Sequence, residues 1–344
     1  MARSRLVTIA GAVAALAALA GCPHAPPETG GVCADVGADR LLPPCGKQAI
    51  DGDAIYYIER YGYDDAGHLI TVTHDEGPNL DRTESTYDEH GNLTSENQSR
   101  NGQPTRSRTW VWTYDAAGRA IAVDASEGGT LVSHETRTYD AAGRWDGFER
   151  RFSDTDRVEG HFTYDAEGRQ IERRELHHDP AAADAARAAG LGVDGDVVGT
   201  HVVTTTYTAG RVAIDDQERF VDDHILCGGL YWRTIAFVET TDHDGDRKLH
   251  AAGRRSDTSC DDERTERWTT DYDASGAALE TVTDRWDDAP IADTVPPNNT
   301  VTELACNDEH GNADRVEVTV RRPGVPNGNT SWTLQYDYTC WTAP

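Results

Sequence analysis

Asp242-His243-Asp244-Gly245-Asp246 sets three carboxylates at alternate positions, a spacing that lets oxygen ligands converge on a hard cation such as calcium. Its glycine falls early for an EF-hand loop, and Gly253 stands where that loop needs a glutamate, so the segment also reads as a tight turn. His177 and His178 precede Asp179 and could ligate a metal together with His161 or His201, although adjacent surface histidines are more often unliganded. Trp110, Trp112 and Tyr114 alternate along the chain and would share one face of a strand. Exposed, that face would stack sugars or peptides; inside the fold it would be core. No G-x-S-x-G elbow occurs, and 60 acidic residues make chance carboxylate pairs unavoidable, so glycoside-type hydrolysis stays an alternative without a named residue. The expectation is a non-catalytic chain with no cofactor, or at most calcium.

Seven cysteines mark the compartment. Arg3 and Arg5 lead an apolar run from Leu6 to Ala20, the layout of a secretory signal and too short for a membrane span of ~20 residues. Leu19-Ala20-Gly21-Cys22 resembles the lipobox of bacterial lipoproteins, which implies cleavage after residue 21 and acylation of Cys22. Pro23 follows the cysteine, and that resemblance implies delivery to the outer membrane, with the side it faces left open. Six cysteines remain: Cys33, Cys45, Cys227, Cys260, Cys306 and Cys340. An even set in an exported chain reads as disulfides, and nearest-neighbour pairing gives Cys33 with Cys45, Cys227 with Cys260 and Cys306 with Cys340. Without a C-x-x-C spacing, zinc is disfavoured.

Loss of the leader removes two arginines and leaves 30 basic against 60 acidic side chains, a charge of -30 instead of -28. Such a surface repels nucleic acid and anionic headgroups. Hydrophobic residues make up 37% of the chain, against ~45–50% in ordinary globular domains, which argues for a thin sheet over a thick core.

A repeat supplies the elements. Tyr-Asp-x-x-Gly recurs at Tyr63, Tyr87, Tyr114, Tyr139, Tyr164 and Tyr272, with worn copies near Tyr207, Asp242 and Asn307. In "RTWVWTYDAAGRAIAVDA" the flanks are aromatic, β-branched or alternating, and so read as strands. The Asp side chain can accept a backbone N–H two residues on, and the glycine can take positive φ. Each copy is therefore a β-hairpin, joined to the next by a polar loop. One interruption breaks the pattern: Asp179 as N-cap, Pro180 at the first turn, Ala181 to Ala189 and then Gly190 predict a short helix near 180–190. It would lie over the sheet or plug an open end.

The motif Y-D-x-x-G-R resembles the YD repeat of the Rhs and teneurin proteins, over about residues 55 to 340. That resemblance implies strips of hairpins that curl into a shell. The copies here are too few for a full cocoon, and no autoproteolytic core or toxin domain follows. The reading is all-β: an elongated curled sheet or partial shell with one short inserted helix. Its parts are a signal peptide (1–21), a lipidated tether with a small disulfide loop (22–51) and a YD-repeat domain (52–344). The expected function is a non-catalytic, monomeric interaction or scaffold module, anchored in the outer membrane by lipid, with an envelope glycan or protein as partner. The alternatives are a carbohydrate-binding adhesin that uses exposed Trp and Tyr, and an envelope hydrolase.

Overall fold

The computed structural model describes residues 44–51, 54–224, 229–244, 247–259, 262–272, 278–286, 297–307, 313–323, 325 and 328–337. Strand propensity and alternation act along the whole of this length. The first half holds β1 (Gly46–Asp51), β2 (Ala54–Tyr63), β3 (Leu69–Glu76), β4 (Asn79–Tyr87), β5 (Leu93–Arg100), β6 (Gln103–Tyr114), β7 (Ala120–Glu127), β8 (Thr130–Tyr139), β9 (Trp145–Arg151), β10 (Arg157–Tyr164) and β11 (Gln170–His178). Helix α1 (Pro180–Ala188) follows. The second half holds β12 (Val197–Thr208), β13 (Arg211–His224), β14 (Gly229–Asp244), β15 (Arg247–Ser259), β16 (Asp262–Tyr272), β17 (Ala278–Trp286), β18 (Asn299–Asn307), β19 (Ala313–Arg321) and β20 (Thr330–Asp337).

Each strand pairs antiparallel with the next, and β20 then pairs with β1, from Gly46 opposite Asp337 to Ile50 opposite Thr333. Gln48 adds a side-chain bond across this seam, its Nε2 donating to Gln335 Oε1 at 2.7 Å. The wall is therefore a closed 20-stranded barrel, which corrects the expected open, curled sheet. Closure has a physical reason: an open strip leaves two unpaired edges, and the accumulated twist and tilt of many strands bring those edges together.

Connections from even to odd strands, with the Tyr-Asp-x-x-Gly turns, form one rim; connections from odd to even strands form the other. Five turns share one geometry. In the copy at Tyr114, Asp115 N–H donates to Arg119 O (3.0 Å) and Gly118 N–H to Asp115 O (3.0 Å). Asp115 Oδ1 accepts from the amides of Ala117 and Arg119, both at 2.9 Å, while Oδ2 accepts from Arg119 Nε at 2.8 Å. Gly118 sits at φ 79, where a Cβ would be strained. The Arg119 backbone amide and guanidinium hold the Asp115 carboxyl below the usual carboxylate range.

The helix forms as the sequence predicts. Asp179 caps it by accepting from the amides of Ala181 and Ala182, and Gly190 follows with φ 84. Its buried Ala183 and Ala186 pack on Val198, Val221 and Trp232, covering one stretch of wall. Among the described residues no helix is long and apolar enough to cross a membrane, which says nothing of strands.

Candidate functional site

Closure gives the sheet a concave and a convex face, and crowding tells them apart, because side chains converge inside a cylinder and diverge outside it. Along β6 the small residues Ser107, Thr109, Val111 and Thr113 are exposed, Val111 by 65%, whereas the larger Arg106, Arg108, Trp110, Trp112 and Tyr114 are covered. The large, covered set is the inner wall. The outer wall is polar: the cross-strand row from Thr204 runs through Asp215, Val238, Arg254, Arg267 and Asp284. A membrane-spanning barrel needs an outward apolar band ~25 Å tall. Among the described residues neither row is such a band, the inner one running through Arg137, Phe148, Gly160, Glu175, His201 and Glu218.

Two clusters dominate that inner wall. Glu135, only 2% exposed, accepts from Arg137 Nε at 2.7 Å and from Arg150 Nε at 2.8 Å. Arg137 lies over Trp112 at 4.9 Å and over Trp145 at 4.8 Å, so one cation ties three strands. Beside it Phe148, Phe162 and Val158 form a small apolar cluster. Gly160 is required there, because a Cβ would stand 2.0 Å from the Phe148 ring.

The second cluster centres on His201. Its Nε2 is 2.8 Å from Asp216 and its Nδ1 is 3.7 Å from Glu175, with Glu218 directly across the strand pair. The hydrogen bond to Asp216 and the nearby Glu175 carboxylate outweigh desolvation and push the imidazole up to about 9. Burial alone would push the Glu175 carboxyl up, but the neighbouring His201 and the hydrogen-bonded Arg173 hold it below its usual range. Glu218 goes the other way, raised chiefly by burial. The cluster is thus a fixed cation between carboxylates. It holds charge in place.

The residues singled out in the sequence fall as follows. Trp110, Trp112 and Tyr114 do share a face, and it is the inner one. Trp112 Nε1 donates to Leu93 O at 2.8 Å, and Tyr114 bonds Asp88 and Asn92, so this is wall packing. His177 pairs with Asp156 and His178 with Asp196, both at 2.8 Å; His161 stands on the outer wall, so the histidines do not converge. Asp242 and Asp244 end β14 opposite His250 and Arg247, and Arg211 Nε holds Asp242 at 2.5 Å. Asp246 lies outside the described residues, among which no group of three metal-ligating side chains occurs. Cys45 is disulfide-bonded. Cys22, Cys33, Cys227, Cys260 and Cys340 lie outside the described residues, and Cys306 is described only as backbone of β18.

The clusters at Glu135 and His201 escaped sequence reasoning, yet a signal existed. Arg and Glu alternate at i and i+2 in Glu135-x-Arg137, Arg157-x-Glu159 and Arg173-x-Glu175, which places opposite charges on one face of a strand.

No protein-family model matches the chain, and no curated protein matches it. Among solved structures it is similar to a porin-like protein from Bacteroides uniformis ATCC 8492, at 12% identity and TM-score 0.32, covering 88% of this chain and 99% of that one. A porin-like protein from Bacteroides vulgatus ATCC 8482 follows at 9% identity and TM-score 0.29, covering 86% and 98%. The resemblance to Rhs and teneurin repeats is corrected on other grounds: no family model supports it, and β20 pairs with β1 to close the wall into a barrel where that resemblance implied a curled strip. An Asp-capped glycine turn is a local solution open to any antiparallel hairpin, so its repetition marks hairpins and not descent. The scaffold function implied by that resemblance falls with it, and neither the glycan adhesin nor the hydrolase gains support.

Proposed function

We propose that the protein is a hollow barrel of the outer envelope, standing in water as a monomer, whose ion-paired inner wall holds or conducts small hydrophilic solutes. One observation carries this reading: β1 pairs with β20 in a wall that is polar on both faces. In the arc from β2 to β6 no residue is fully buried, so that part is a single layer with solvent on each side. Attachment would come from a lipid on Cys22 in the outer membrane, a location with which porin-like neighbours are in keeping. β1 begins at the turn rim, so the anchored end of the barrel would be that rim. We assign it no reaction, because Glu135, Glu175 and His201 are each committed to neighbouring side chains.

Two measurements test this. The chain from residue 23 should remain monodisperse in detergent-free buffer; a requirement for detergent would overturn the water-standing wall. Thr204→Cys on the outer wall and Thr205→Cys on the inner wall, in a chain with its native thiols blocked, should both react with a small maleimide. A bulky polymer maleimide should label only the outer one quickly. Equal labelling of both would mean that no lumen is enclosed.

A further inference from the structure

Near the rim opposite the turns, β17 to β20 line a concavity of about 330 Å³ on the inner wall. Valines form its floor: Val301 opposite Val320, with Val318 beside them between Glu303 and Trp332. Two acceptors stand at its ends on one face of β18. Asn299 Oδ1 is buried without a hydrogen-bond partner. Glu303, four residues on, makes no hydrogen bond or ion pair among the described residues, and burial raises its carboxyl above the ordinary range against the pull of Arg285. The cations nearby differ in availability: Arg285 is spent on Glu266 at 2.9 Å, and Arg322 is exposed at the edge. Trp332 offers an aromatic face, the surface on which a desolvated cation is stabilised.

We infer that this concavity binds an elongated aliphatic diamine or polyamine, with one ammonium at Glu303, a second N–H group at Asn299, and the methylene stem on the valines. Four residues of strand span about 13 Å, a separation that a linear polyamine can bridge and a single small ammonium cannot. The chain's net charge of -28 would draw such cations to the barrel. The inference rests on the hollow-barrel reading only in placing this concavity inside the lumen.

The test is calorimetric titration of the chain from residue 23 with spermidine, with butylamine and acetate as contrasts. Spermidine should bind one to one, at least tenfold more tightly than butylamine, and acetate should not bind. Glu303→Gln should weaken spermidine about tenfold and Asn299→Ala about threefold. Glu84→Gln, on the exposed outer wall, should change nothing, which separates a site from diffuse attraction to an acidic surface. Equal loss from Glu84→Gln and Glu303→Gln, or no loss from Glu303→Gln, would overturn the inference. Should Glu303→Gln fail to fold, Trp332→Phe and Asn299→Ala carry the same comparison. Failure here with intact size-selective maleimide labelling would refute the polyamine site alone; loss of that labelling would refute the hollow barrel.

Discussion

From β2 to β11 the wall uses strands of 7 to 12 residues, whereas β12 to β16 run from 11 to 16. The first arc carries five Asp-capped turns, and each is stapled to the next hairpin. Arg119 lies over Tyr139 at 4.6 Å and Arg144 over Tyr164 at 4.5 Å. Tyr139 and Tyr164 in turn donate to Ala120 O at 2.7 Å and Trp145 O at 2.6 Å. In the second arc the turn at Gly210 has no aspartate, while charged pairs reach across the strands as they do in the first: Arg233 to Asp257 at 2.8 Å, Arg267 to Asp284 at 3.1 Å. A staple at the rim lets short strands suffice. From β12 to β16, past the worn turn at Gly210, longer ladders take its place.

The sharpest test of this contrast removes one charge from each arc. Glu135→Ala strands Arg137 and Arg150 on the inner wall and should cost about 3 kcal/mol in chemical denaturation. That is the low end for a broken buried pair, because Arg150 is 41% exposed and water can reach it. Asp284→Ala in the second arc should cost under about 1 kcal/mol, since Arg267 is 45% exposed. Equal losses would erase the distinction between a locked first arc and a distributed second one.

Between the arcs sits His201, and its contribution follows pH. Its folded value of about 9 lies above the ordinary 6.5, so the native state binds the proton more tightly than the unfolded chain. The stabilisation is complete below about pH 6.5 and is lost as pH rises through 9, by at most about 3 kcal/mol. A thermal midpoint followed from pH 6 to 10 should fall for the native chain and much less for His201→Gln. Parallel curves would assign the fall to other groups.

A device common to both arcs sharpens the comparison from the other side. A Cβ at Gly160 would stand 2.0 Å from Phe148, and one at Gly253 would stand 2.1 Å from Trp268. Gly160→Ala and Gly253→Ala should each cost about 1–3 kcal/mol by forcing an aromatic ring off its place. A marked difference in denaturation would show that the longer strands yield where the stapled ones cannot.

Local structure was legible in the sequence, and closure was not. Asp179, Pro180 and Gly190 placed the helix, and Tyr-Asp-x-x-Gly placed the hairpins, because caps and turns are decided within a few residues. The pairing of Gly46 with Asp337 joins the two ends of the wall, and no local pattern reports it. The same limit hid the candidate site. Glu135 with Arg137 shows as alternation within one strand, but Arg150 arrives from the next, and Asn299, Glu303 and Trp332 meet only after three strands align. Asp242 shows the same limit: Arg211 from the neighbouring strand reaches its carboxylate, a contact that the local spacing does not report.

The smallest expected effect isolates the staple itself. Tyr164→Phe keeps the ring under Arg144 and removes only the hydroxyl that donates to Trp145 O, so about 1 kcal/mol should be lost. Tyr207 has the same stacking, with Arg169 over its ring at 4.4 Å, but its hydroxyl makes no hydrogen bond among the described residues. Tyr207→Phe should therefore be nearly neutral. If both substitutions are neutral, stacking alone joins the hairpins and the carbonyl bond is incidental. If both destabilise equally, the second arc retains a staple that its worn turn conceals, and strand length is not what replaced it.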